Sequence, residues 1–165
     1  MSEVIKTAII SPCGHYRYLL TRHWDADLPV IAFVGLNPST ADARQDDNTI
    51  RRCIAFARAW GYGSLQMINL FAYRATDPEQ MMRQDNPIGP DNMKYVHRIV
   101  ETADMVVAAW GVHGHLTAQE MSFMSLANKA NRVIHCMGYT KHGAPKHPCR
   151  LPNGLMLEPF SLTPN

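Results

Sequence analysis

The sequence predicts an α/β domain of three layers, an α/β/α sandwich whose central sheet has four parallel strands in the order 2-1-3-4. Three observations predict it. Apolar runs at residues 30–35, 65–70, 105–110 and 132–137 are short and nearly continuous, as strands buried on both faces require. Segments of helical periodicity separate these runs, so the chain reads β-α-β-α-β-α-β. At 165 residues, 46% hydrophobic and 18% charged, the chain has the length of one domain and a globular composition.

The elements follow in order. Residues 4–10 and 16–22 gather apolar residues around Ser11-Pro12-Cys13-Gly14, which predicts an antiparallel hairpin ahead of the sheet, in an extension over residues 1–28. Cys13 and His15 read as incidental polar residues of its turn, with metal ligation the lesser alternative. The first parallel strand, V-I-A-F-V, ends at Gly35, which lets the backbone turn tightly or approach a ligand, and Pro38 stiffens the turn. Asp46, Asp47 and Asn48 are good capping residues for a helix. Its buried stripe is Ile50, Cys53, Ile54, Ala57 and Trp60, and Gly61 closes it. Arg51, Arg52 and Arg58 fall off the stripe and read most simply as a solvated face, with phosphate contact from Arg51 or Arg52 the lesser alternative.

The second strand, L-Q-M-I-N-L, contains Asn69 near its end. β propensity does not explain an asparagine there; its amide is either satisfied internally or presented to something. Pro87-Ile88-Gly89-Pro90 announces a helix with Met93, Val96, Val100 and Ala103 buried. The third strand ends at Trp110-Gly111, and Thr117-x-x-Glu120 has the capping-box form that opens a helix to about Lys129. A polar loop follows the fourth strand as far as Arg150, and residues 155–162 either add a short strand or lie across the domain.

The net charge of +2 and a pI near 8.4 permit a nucleic-acid partner without demanding one. No apolar run approaches the roughly 20 residues of a membrane span, and the first residues lack a signal-peptide pattern. The four cysteines, Cys13, Cys53, Cys136 and Cys149, form no C-x-x-C pair. The expectation is free thiols in a reducing cytoplasm, with no disulfide, no metal and no cofactor.

In a parallel sheet, Gly35-Leu36-Asn37-Pro38, Asn69, Trp110-Gly111 and the loop of His147-Pro148 all emerge at the carboxyl edge, where open α/β sheets bind ligands. The strings V-G-L-N-P-S-T-A-D, D-D-N-T-x-R-R, I-N-L-F-A-Y-R-A-T-D-P and A-W-G resemble the bacterial and phage family called domain of unknown function 1643, over residues 16–151. Shorter pieces resemble the uracil-DNA glycosylase superfamily. Gly35-Leu36-Asn37-Pro38 is similar to its first motif in the Gly-x-Asn-Pro form, and Asn69 with Arg74 to its strand-end segment. Trp110-Gly111 is similar to its Trp-Gly after the third strand. His147-Pro148 resembles the start of its His-Pro-Ser motif, continued here as Cys149-Arg150-Leu151.

That second resemblance implies a uracil-DNA glycosylase-like fold and a hydrolase that releases a damaged or modified base from DNA. Breaking an N-glycosidic bond builds positive charge on the sugar and negative charge on the departing base. Asn37 is expected to orient the water, Asp42, Asp46 or Asp47 to supply negative charge, and His147 to donate to the base. Gly35, Leu36, Pro38, Ser39, Arg74, Trp110 and Gly111 complete the substrate site, with Asn69 reading a base edge through its donor and acceptor. Lys141, Lys146 and Arg150 either hold phosphates or form a solvated basic loop. His142, His147 and Cys149 as a metal set is the lesser alternative. The competing function is a domain of the same fold that binds a nucleotide or nucleic acid without cutting it. An aspartate in the pocket favours the enzyme. Either way the chain is expected to act as a monomer on a nucleic acid or nucleotide.

Overall fold

The computed structural model describes residues 3–162, so the first two and last three residues of the expected 1–165 domain lie outside the described residues. Among the described residues seven strands are formed: β1 (Ile5–Ile10), β2 (Arg17–His23), β3 (Val30–Gly35), β4 (Ser64–Asn69), β5 (Met105–Ala108), β6 (His135–Cys136) and β7 (Glu158–Pro159). They make one mixed sheet in the order β1-β2-β4-β3-β5-β6-β7. The pairings of β3 with β4, β3 with β5 and β5 with β6 are parallel, and the outer ones are antiparallel.

Two expectations about the sheet are corrected here. The four strands β4-β3-β5-β6 lie parallel in the expected order, but the sheet extends beyond them, because the hairpin belongs to it: β2 pairs with β4 and buries Tyr18, Leu19 and Leu20. The strand expected over residues 132–137 shrinks to two residues. Its first residues are still closing the preceding helix, with Asn131 at φ 53° and the Arg132 N–H donating to Ala127 O at 2.9 Å. The tail does add a strand, β7, on the far side of β6.

The helices are α1 (Asn48–Ala59), α2 (Pro78–Met82), α3 (Asn92–Thr102) and α4 (Ala118–Lys129). Period-two alternation sorts the strand residues between two cores. Ile31, Phe33, Leu65, Met67 and Val107 pack with Ile50, Cys53, Phe56 and Ala57 of α1. Ala32, Val34, Ile68, Val106 and Ala108 pack with Val96, Ile99 and Val100 of α3 and with Phe123, Leu126 and Ala127 of α4. Helices therefore cover both faces. On α1, Phe56 is buried and Ile54 only half-buried, the reverse of the expected stripe, because Phe56 stacks on Trp60 at 5.2 Å under the Arg52 guanidinium. Among the described residues no helix is long and apolar enough to cross a membrane.

The three central strands set the stage for a site. Their carboxyl ends emerge side by side, and the pairing runs past them: Leu70 N donates to Gly35 O, Phe71 N to Leu36 O and Ala109 N to Val34 O.

Candidate functional site

A cleft of about 400 Å³ opens at that edge. β3 and its turn supply Gly35, Leu36, Asn37, Pro38 and Ser39, and β4 supplies Asn69. Trp110 and Gly111 come from the end of β5, Asp47 and Thr49 from the start of α1, and His147 from the loop after β6.

Asn69 is 1% exposed, and neither its Nδ2 nor its Oδ1 has a partner among the described residues. Its side chain lies on Gly35: a Cβ there would stand 2.6 Å from Asn69 Oδ1 and 2.8 Å from Met67 Cε. Only glycine leaves that space. The Asn69 carbonyl is held from behind by the buried Asn92, whose Nδ2 donates to it at 3.0 Å. Leaving a buried polar group unpaired costs about 1–3 kcal/mol. An amide in this position is complementary to a group that offers both a donor and an acceptor.

Asn37 is differently employed. Its Nδ2 donates to Ala75 O at 2.9 Å and to Pro38 O at 3.2 Å, bracing the loop after β4. That leaves Oδ1 as an acceptor.

His147 is carried by a tied loop. Thr140 N donates to Ala144 O, Lys146 N to Gly138 O, and Gly111 N to Pro145 O at 3.1 Å, so the loop is fastened to the end of β5. Gly111 makes the join at φ 70°, a conformation that favours glycine. His147 Nδ1 accepts from Cys149 N at 3.2 Å, which puts the proton of the neutral ring on Nε2. The ring is exposed at the concave mouth yet surrounded by protein. Desolvation pushes its pKa below the ordinary value, with the charge of Asp47 opposing. The neutral imidazole therefore prevails at pH 7.

A family model described as "Protein of unknown function (DUF1643)" matches residues 17–149. The chain belongs to that family. The DUF1643 match contains every residue that lines the cleft, the outermost being Arg17 and His147. No curated protein and no solved structure matches the chain.

The wall of the cleft is built by a buried network. Trp110 is 1% exposed, meets Phe123 and Phe160 edge-on, and turns its N–H away to Glu120 Oε2 at 2.8 Å. Glu120 was expected to reach back to Thr117 in a capping box. Only half of that box forms: Thr117 Oγ1 accepts from Glu120 N, while the Glu120 carboxylate accepts from Leu116 N and from His115 Nδ1. His115 Nε2 lies 3.1 Å from His142 O, a contact that couples α4 to the loop of His147.

Several expected residues lie outside the cleft. Asp42 Oδ1 accepts from Arg44 N and Gln45 N, and those backbone bonds hold its carboxyl below the usual range. Asp46 is bound by Arg22 at 2.7 Å and by Lys6 at 3.1 Å; burial pushes its carboxyl up, but these two cations outweigh it. Of the three aspartates only Asp47 lines the cleft, and its side chain also caps α1 by accepting from Ile50 N at 2.9 Å. Arg74 lines a neighbouring recess and donates to Gly14 O. Lys141, Lys146 and Arg150 do not line the cleft, and the Lys146 stem packs over Gly138. Arg52, expected to be solvated, donates to Leu151 O and Asn153 Oδ1 and holds the segment after the His147 loop. Among the described residues, no group of three His, Cys, Asp or Glu side chains is placed to hold a metal, and the four cysteines are free.

Several cleft residues escaped the sequence reading, among them Thr49, Thr76, His113 and, most consequentially, Arg17. Arg17 is 2% exposed, donates Nη1 to Ala41 O at 3.0 Å and leaves Nε without a partner. Burial pulls its pKa down to about 10, so it stays charged at neutral pH. The available signal was a single charge inside the otherwise apolar run Y-R-Y-L-L.

Proposed function

We propose that this cleft binds a nucleobase and hydrolyses the N-glycosidic bond joining it to its sugar, the base being a damaged or modified one in DNA. The observation that carries the reading is Asn69, whose buried amide faces the cleft with donor and acceptor both unpaired. A base edge offers the complementary pair. Loss of either atom from solvent is then offset only when the ligand is bound.

The other groups suit the chemistry. A neutral His147 with its proton on Nε2 donates to the leaving base as negative charge develops there. Asp47 supplies negative charge beside the oxocarbenium-like sugar, and Asn37 Oδ1 accepts a hydrogen from the attacking water. Asp47 in the cleft favours an enzyme over a binding domain. The order Gly-Leu-Asn-Pro, Asn, Trp-Gly, His-Pro along the chain resembles the uracil-DNA glycosylase superfamily and supports both the fold kinship and the reaction class. A base in a duplex is flipped out before it enters such a site. We place the activity in the cytoplasm, in a monomer.

One observation favours the competing reading of a nucleotide-binding domain without catalysis. The Asn37 amide nitrogen is spent on the loop after β4, as in a residue kept for structure.

The side-chain amide resonances of Asn69 test the carrying observation. Titration with free bases should shift them, and Asn69→Leu should abolish binding. Binding that survives Asn69→Leu would remove the ground for the proposal.

A further inference from the structure

We propose that Arg17 is the anion receptor of the cleft, holding the phosphate of a phosphorylated nucleoside whose base lies on Asn69. The base half rests on the function proposed above; the anion half stands on Arg17 itself.

β2 carries two buried arginines, and they are treated differently. Arg22 has Asp46 at 2.7 Å and further bonds to the carbonyls of Thr21, Asp42 and Gln45. Its charge and its donors are matched. Arg17 has one hydrogen bond, to Ala41 O, and its Nε is buried without a partner. Among the described residues no carboxylate oxygen lies within 4.0 Å of its guanidinium. A buried charge in this condition is unfavourable, and a guanidinium that lines a cleft with an unused N–H is suited to an oxyanion.

The start of α1 also reaches the cleft through Thr49 and Ile50, but its cap is already taken by the Asp47 carboxylate, so the anion half of the proposal stands on Arg17. Ser39 and Thr76 add neutral hydroxyls to the lining. Asp47 also acts on the Arg17 charge, without a contact within 4.0 Å, and it opposes an anion near itself, so the phosphate competes with that carboxylate for the guanidinium. A cleft of about 400 Å³ is in the size range of sites for drug-sized molecules and has room for a base with its sugar and phosphate.

The test is calorimetry on the full chain with inorganic phosphate, uncharged nucleosides, nucleoside 5′- and 3′-monophosphates, and a short single-stranded oligonucleotide. Wild type, Arg17→Met and Arg17→Lys are compared after thermal unfolding has shown which variants fold. Wild type should bind phosphate and should prefer monophosphates to nucleosides on the order of 10- to 100-fold, the range of a hydrogen bond to a charged group. Arg17→Met should lose that preference and keep nucleoside binding, with Arg17→Lys between. Should Arg17→Met fail to fold, the wild-type preference and its reduction in Arg17→Lys decide. Equal affinity for nucleosides and monophosphates in wild type, or a preference unchanged in both variants, overturns the assignment. Phosphate binding lost in the variants, with no nucleoside binding at all, upholds Arg17 and sinks the base reading instead. An Arg17-dependent gain for the oligonucleotide over the monophosphates assigns the phosphate to a strand; its absence assigns it to a free nucleotide.

Discussion

Replacing Asn69 by leucine should make the empty protein more stable. Asparagine and leucine have nearly the same shape, so the exchange removes two unpaired polar atoms without opening a cavity. Each unsatisfied buried group costs about 1–3 kcal/mol, and an apolar side chain of the same shape carries no such cost. Contact with Gly35 and Met67 limits the benefit, since the position is already tight. A net gain of about 1–3 kcal/mol is expected, or roughly 3–9 °C in the midpoint for a chain of this length. Urea unfolding of wild type, Asn69→Leu and Asn69→Ala without ligand measures it. Asn69→Ala should be the weaker of the two variants, because it leaves a cavity. If Asn69→Leu lost more than about 1 kcal/mol, the amide would be a satisfied structural group, and the argument from its unpaired atoms would collapse.

Gly35→Ala should displace the Asn69 side chain, because the added Cβ would lie 2.6 Å from its Oδ1; base affinity should fall with the fold retained, as titration and circular dichroism together would show. Asp47→Asn should keep the α1 cap while removing the charge, lowering base release with little change in unfolding, whereas Asp47→Ala should also lose about 0.5–2 kcal/mol of stability. The pKa of His147 is lowered in the fold, so the unfolded chain takes up the proton more readily. Stability from this group is therefore complete above the ordinary histidine value and declines as pH falls through the lowered one. Urea melts between pH 8 and 5 should show a small slope of that sign, reduced in His147→Gln.

Much of this arrangement was legible in the sequence, for identifiable reasons. Strand ends are marked where an apolar run stops, so Gly35, Asn69 and Trp110 stood out, and parallel pairing brings such ends to one edge. The choice among Asp42, Asp46 and Asp47 was not legible, because Arg22 decides it from a strand some twenty residues away in sequence. Arg17 was missed for a related reason: read as part of an edge hairpin, β2 gave no warning that it lies inside the sheet. The role of Glu120 follows the same rule. A capping box predicts its backbone partner, but the indole of Trp110 and the imidazole of His115 claim the carboxylate through tertiary packing. Sequence spacing reported where side chains start, and packing decided what they meet.

The most direct test of the central claim is release of free base by wild type and His147→Ala. The substrates are oligonucleotides carrying uracil, hypoxanthine, hydroxymethylated or glycosylated bases, with free nucleosides alongside, and the product is detected by mass spectrometry. His147→Ala is the variant of choice because Asn37 also braces a loop, so its loss would mix structure with chemistry. The account predicts release from at least one substrate by wild type and a loss of about 100- to 1,000-fold in His147→Ala. Release undiminished in His147→Ala, or no release from any of these substrates by a protein that binds their bases, would contradict it.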